Sequence, residues 1–323
     1  MKIALLIACG VVSGVFCALK AEARPLTQTI NLRYWYSQGE TEFSFCGSAD
    51  CRPTLVSTKF GFDEYAGDPA SRLNYHGTYA HSAELVGQAL WPNGYRFMVY
   101  WGLGEGHLGE IRDQDWFDRS PFGGAKQFEF SDTLSRVKST QLRYATADFG
   151  QQLQTLPLLP FVGFTYYREQ LGAYGITPLL NDAGGMSGRP VSDANLVLGN
   201  EIRCFGLRLG VEIAASLNNT TLLTNIAYLP WLKLKNADSH YLRDDLGPPP
   251  NVRSEATGDG WMIDVLLQHA FNARFQANIG YRWWAFEGES GDTRFGPGFY
   301  RSQLNRSLFT QRHGTLLGLV YRF

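Results

Sequence analysis

Long apolar runs are almost absent from this 323-residue chain. Residues Ile3 to Leu19 form one, broken only by small residues, and nowhere else do the ~18 consecutive apolar residues of a membrane-spanning helix occur. A helical membrane protein is thereby excluded. The run follows Lys2 and leads to Ala21-Glu22-Ala23, a small-x-small cleavage site, so residues 1–23 read as a secretory signal peptide and the mature chain is expected to begin at Arg24. Val15-Phe16 precedes Cys17 where a lipoprotein signal would carry small residues. Charge of one sign is lacking too: 29 Lys and Arg face 30 Asp and Glu, and loss of Lys2, Lys20 and Glu22 leaves the mature balance slightly acidic. No basic surface recruits nucleic acid, and none is expected as a partner.

Cysteine is scarce, with five in all. Cys9 and Cys17 would leave with the signal, and Cys204, alone in a strand pattern, is expected to pack. Cys46 and Cys51 are close neighbours in a polar stretch, and in an oxidising compartment their spacing permits a disulfide that would clip a loop tip.

What is abundant is aromatic residues (14%) and glycine (35 residues), against 18% charged residues. That blend suits strands with an aromatic-rich outer face, although a soluble sandwich shares part of it. Period-2 patterning marks ten strands, at about 28–44, 72–88, 94–108, 136–153, 158–174, 196–215, 220–237, 258–271, 274–288 and 310–323. Short links with turn chemistry, such as Trp91-Pro92-Asn93-Gly94 and Asn218-Asn219-Thr220, alternate with long polar ones. The fold class expected is all-β, a ten-stranded antiparallel transmembrane barrel of a Gram-negative outer membrane, forming one domain over 24–323.

The strand faces support this. Phe275, Ala277, Ile279, Tyr281 and Trp283 would face lipid, while Gln276, Asn278, Gly280, Arg282 and Trp284 face inward. The last strand sets Thr315, Leu317, Leu319, Tyr321 and Phe323 on one apolar face and ends in an aromatic residue. Arg208, Glu212, Asp264 and Arg282 fall inward and are expected to brace a narrow interior. With both termini periplasmic, five long extracellular loops follow, at 45–71, 109–135, 175–195, 238–257 and 289–309.

Two motifs begin the second and fourth of these loops: Asp113-Gln114-Asp115-Trp116 and Asp238-Ser239-His240-Tyr241. In a ten-stranded ring their parent strands lie roughly opposite one another, so three carboxylates and an imidazole would face each other over the mouth. Asp238 would hold the His240 imidazole, which could take a proton from water and return it to a leaving amine. Asp113 and Asp115, crowded together, would share a proton. His107 and Glu110 stand close in sequence and are better read as loop anchors.

With these motifs the chain resembles the omptin family of outer-membrane proteases. Asp113, Gln114, Asp115 and Trp116 match that family's acidic motif, and Asp238, His240 and Tyr241 its Asp-x-His motif; Gly39 to Thr41 matches a Gly-x-Thr stretch at the first strand. The resemblance implies catalysis by a water held between Asp113/Asp115 and Asp238/His240, with no covalent intermediate, metal or cofactor. It implies an extracellular peptide or protein substrate, and lipopolysaccharide as a lipid partner. The family's basic-selecting pocket holds an acid two residues before the second motif, where this chain has Asn236, and a Glu on the first strand, where Glu42 would serve only if it points inward. The pocket residues to place are therefore Glu42, Asn236, Trp116 and Tyr241. The rival readings are an omptin-fold surface-binding barrel without proteolysis and a small passive channel; no Ser and His constellation of an outer-membrane phospholipase is found. The oligomeric state is left open.

Overall fold

The computed structural model describes residues 26–46, 55–57, 63–117, 128–153, 156–180, 189–296 and 302–323; the segment read as a signal and Cys51 lie outside the described residues. Eleven antiparallel strands follow in chain order: β1 (Thr27–Phe45), β2 (Leu55–Ser57), β3 (Asp63–Leu90), β4 (Tyr95–Phe117), β5 (Phe128–Gln151), β6 (Leu158–Pro178), β7 (Val191–Leu217), β8 (Thr220–His240), β9 (Val252–Ala270), β10 (Phe275–Phe295) and β11 (Ser302–Arg322). Ten are long and pair with their sequence neighbours, and β1 pairs with both β11 and β3, which closes the ring. The three-residue β2 pairs only with β3. Closure leaves no edge, so each backbone polar group in lipid has a ladder partner.

Local chemistry explains the short turns. Gly94, at φ 87, closes the β3–β4 turn, where its N–H donates to the Trp91 carbonyl at 2.9 Å. The Asn272 side-chain oxygen accepts from the backbone N–H groups of Arg274 and Phe275, at 2.8 and 2.9 Å, to turn β9 into β10. Between β7 and β8, Asn218 takes the left-handed conformation that asparagine tolerates.

The period-2 faces fall as expected. Phe275, Ile279, Tyr281, Leu317 and Leu319 are exposed on the outer face, while Asn278, Arg282, Trp284, Leu316 and Val320 are buried inside. Exposed Tyr95, Phe271, Phe275 and Phe323 mark one border of the outer apolar band, and Tyr36, Trp231, Trp261 and Tyr281 mark the other. Strand length departs from expectation. The long strands run 19 to 28 residues, about twice the 9–11 that cross a bilayer, and the excess rises beyond the Tyr36–Trp231–Tyr281 border. Stretches expected as loops are strand there, because ladder pairing is a backbone property that continues wherever neighbouring strands stay side by side.

The interior is filled. Arg282, fully buried, donates to Asp264 at 2.9 and 2.7 Å and to Glu84 at 2.7 Å, and its guanidinium lies 4.3 Å from the Trp284 ring centroid and 5.0 Å from that of Trp35. Tyr100 and Tyr144 complete the aromatic packing. Arg208 pairs with Asp148 at 2.8 Å and Arg96 with Glu212. Nearer the long-strand end Arg312 binds Glu169 and the Thr78 carbonyl, and Thr41 hydroxyl contacts Thr310 at 2.8 Å. The bracing network is thus present, with Glu84 and Asp148 as members that strand parity had not singled out. Cys204 is free and packs in the core.

Replacing Arg282 with Met leaves Glu84 and Asp264 buried without their main cation. The expected loss is about 3–5 kcal/mol, read as a lower temperature for the shift from folded to unfolded electrophoretic mobility, whereas a mere packing role would give a loss below about 1.5 kcal/mol.

Candidate active site

The two acidic motifs lie on strands, not in loops: Asp113 to Trp116 near the end of β4, and Asp238 to His240 as the last three residues of β8. The nine residue-to-residue steps from Trp231 to His240 lift the imidazole on the order of 20 Å beyond the aromatic border for a strand tilted about 40°. Along β4 the side chains alternate. Arg112 and Gln114 turn outward to Asp132 and Glu129, at 2.6 and 2.7 Å, which leaves Asp113 and Asp115 on the inner face beside Leu73 and Ser71 of β3. The hydroxyls of Ser71 and of Ser131, which lies opposite Asp115 on β5, both donate to the Asp115 carboxylate.

On β8, Asp238 is fully buried and its Oδ2 lies 2.7 Å from Nε2 of His240. The His240 backbone is clamped by Asn251, whose side-chain oxygen accepts its N–H at 2.9 Å and whose Nδ2 donates to its carbonyl at 3.1 Å. The Asn251 N–H donates in turn to the Asp238 carbonyl at 3.1 Å. One asparagine thereby extends the β8–β9 ladder past its end and fixes the histidine. Neither Asn251 nor the serines stood out in the sequence, since an Asn after three prolines and isolated serines read as ordinary turn residues.

The two walls sense each other. Burial, then the charge of Asp115, pushes Asp113 up to about 8, opposed by His240. Burial also raises Asp115, against the Ser71 and Ser131 hydrogen bonds and the cations His240 and Arg243. Burial works to lower His240, but the Asp238 charge and hydrogen bond outweigh it and lift the imidazole to about 9. At neutral pH the imidazole is therefore a cation, and the acidic pair retains a proton. Arg243, held by Asp245 through two 2.8 Å bonds, adds its charge above the pair.

The pocket residues divide. Asn236 is buried on the inner face, with both side-chain amide atoms unpartnered among the described residues. Glu42 fails the condition set for it: it alternates with buried Thr41 and Phe43 and turns outward, to 3.9 Å from Arg72. Trp116 lies under the same arginine, 5.6 Å from ring centroid to guanidinium carbon, outside the cluster. Tyr241 is exposed just past β8, its N–H donating to Val197 at 3.0 Å. His107 and Glu110 are exposed, and Glu110 meets His76 at 3.4 Å rather than the acidic pair. Cys46 is buried and disulfide-bonded; its expected partner Cys51 lies outside the described residues. Among the described residues no group of His, Cys, Asp and Glu is arranged to hold a metal.

A closed antiparallel ring with an outer apolar band, an aromatic border on each side and a polar interior defines an outer-membrane β-barrel. No protein-family model and no curated sequence matches the chain. Among solved structures it is similar to the outer-membrane protease OmpT from Escherichia coli, with TM-score 0.64 and 12% identity over 94% of this chain and 99% of that one. The translocator domain of autotransporter NalP from Neisseria meningitidis (TM-score 0.38, 11% identity, 98% of this chain and 95% of that one) and neisserial surface protein A (0.28, 8%, 93% and 100%) also match. At 12% identity the first likeness is one of fold, and the fold is that of an outer-membrane β-barrel.

Two outcomes test the site's electrostatics. In Asp238→Asn, burial acts on His240 without the opposing carboxylate, so its NMR titration is expected to fall from about 9 to 6.5 or below. A His240 value unchanged by that variant would refute the pairing. The raised His240 value stabilises the rim fully below about pH 6.5 and is lost as pH climbs through 9, while the raised Asp113 value penalises the rim increasingly above 3.8. Hydrogen exchange at residues 236–247, corrected for intrinsic rate, should thus quicken between pH 7 and 9.5. Asn251→Ala should quicken it at pH 7 already, with the melting of the barrel unchanged.

Proposed function

We propose that this protein is an omptin-type outer-membrane endopeptidase, secreted by way of residues 1–23, whose site faces away from the cell and cleaves extracellular peptides or proteins. The observation that carries this reading is the joint placement of the Asp238–His240 ion pair and the Asp113/Asp115 pair, in electrostatic contact, on inner strand faces beyond the lipid band. Water is the nucleophile. The ionised member of the acidic pair takes one of its protons as the oxygen bonds to the carbonyl carbon, giving a tetrahedral oxyanion. The His240 imidazolium, stabilised by Asp238, then donates to the departing nitrogen as the C–N bond breaks. The proton gained by the acidic pair returns to His240. This sharpens the role of the histidine: an imidazole at about 9 begins the cycle as the acid.

Neither Asn236 nor the outward-turned Glu42 offers a carboxylate to a basic side chain, so cleavage beside Arg or Lys is not the expected preference. The same observation favours the second reading, a barrel of this fold that binds a surface partner without rapid turnover. Arg168, Arg203, Lys233 and Lys235, gathered outside near Trp231 with Glu201 and Glu255, would meet the phosphates of lipopolysaccharide. The Arg282 plug opposes a channel.

The deciding experiment presents an unbiased peptide library to the protein refolded with lipopolysaccharide, alongside Asp113→Ala and His240→Ala. Cleavage is expected from the wild type alone, reduced at least about 100-fold in each variant and declining above pH 9 as the imidazolium is lost. A wild type that cuts nothing, or variants that cut as well as it does, refutes the protease and leaves the binding barrel.

A further inference from the structure

The two walls of the site meet, at one end of the mouth, in a cluster of rings that neither motif includes. Strand pairing sets the cluster out. Asp113 lies opposite Leu73 of β3, and Leu73 opposite Phe43 of β1; one inward position higher the row reads Asp115, Ser71 and Phe45. On the other wall Asp238 lies opposite Val252 of β9, and Val252 opposite Phe295 of β10. Each phenylalanine therefore stands two strands, about 10 Å, along its row from a carboxylate of the site. The rows join through the rings. The Phe45 centroid is 5.6 Å from that of Phe43 and 5.2 Å from that of Phe295, which it meets edge to face across β11.

This end of the mouth is apolar and carries no free charge among the described residues. Phe43, Leu73 and Leu308 are buried, and Phe295 stays partly exposed. The adjoining inward polar side chains are neutral and already bonded: Ser254 to Thr293 at 2.8 Å, Thr293 to Asn305, and Asn305 Nδ2 to the Glu255 carbonyl at 3.1 Å. Asp238 is engaged by His240. The other end is unlike it, for there Asp115 is followed along its row by Ser131 of β5, and Asp238 by Asn200 of β7. We propose that the Phe43–Phe45–Phe295 end is the specificity surface of the site, taking an aromatic or branched aliphatic side chain from the substrate residue beside the scissile bond. This rests on the hydrolytic reading above, in which a carbonyl held between the acidic pair and His240 leaves its neighbouring residue about one side-chain length from the rings. An apolar side chain loses its water against them, and edge-to-face packing favours an aromatic one. A Lys, Arg or Glu side chain would bring a charge to a surface with no counter-ion for it.

Peptides of one sequence whose central amide is reduced to CH2–NH cannot be hydrolysed, so they test the surface by binding alone. With Phe on one or other side of that bond, Kd for the refolded protein is expected to be at least about 10-fold lower than with Ala, Lys or Glu in the same place. Phe295→Ala should remove the difference, and Phe295→Glu should transfer the preference to Lys. Phe45→Ala approaches the same surface from β1 and should also remove it; electrophoretic mobility shows that each variant is folded. Equal affinity for these peptides, a preference for Lys or Glu, no binding of any, or a Phe preference kept by the folded variants overturns the assignment. Failure of the wild type to cleave the parent amide, with selective binding retained, defeats the protease alone. Cleavage with no apolar preference defeats the specificity surface alone.

Discussion

Everything in this molecule depends on one constraint: a strand in lipid must pair its backbone on both sides, so the sheet has to close. Closure of β1 against both β11 and β3 sets a ring of ten long strands, and a ring of that size has an interior only wide enough for side chains. The Arg282 plug follows from this. It fills the space with aromatic rings, and it offsets the buried guanidinium with two carboxylates, each engaged through two hydrogen bonds. The same ladder, continuing past the lipid band, becomes a rigid double wall. Groups mounted on such walls keep their separation far better than groups on free loops.

The molecule handles buried charge in two ways. In the plug the acids and bases are matched, and their arrangement is structural. At the rim the matching is incomplete: Asp113 and Asp115 repel, Asp238 is poorly supplied with donors, and His240 is held as a cation by a neighbour that burial would otherwise forbid. Imperfect matching of that kind costs stability and leaves protons mobile near neutral pH, which is the condition acid–base chemistry needs. The clamps around it, Asn251 on His240 and the two serines on Asp115, are neutral side chains that fix geometry without cancelling the charges.

How legible this was depends on what each residue reports. The inward and outward sets of β10 and β11 could be read directly, because burial in lipid on one side and in a narrow interior on the other imposes a strict alternation. Arg208, Glu212, Asp264 and Arg282 were recognisable as inward charges for the same reason, although their partners Glu84 and Asp148 were not. The upper halves of β3, β4, β5 and β9 were unreadable as strand. Above the membrane both faces of a strand can be polar, and alternation gives no signal. Glu42 could not be placed for a related reason: the parity of one residue in a polar stretch is set by the pairing of its strand, and only the ladder with β3 and β11 turns it toward Arg72.

The sequence by itself determined the architecture and the identity of the four charged groups in the two motifs, since hydrophobic alternation, turn residues and motif chemistry are local properties. Only the tertiary structure decided that those groups stand on strands, that His240 is a cation at rest, and that Asn251, Ser71 and Ser131 belong with them. These depend on burial and on charges brought together from strands far apart in the chain. A proton's affinity for a side chain is set by that surrounding field, which no short stretch of sequence contains.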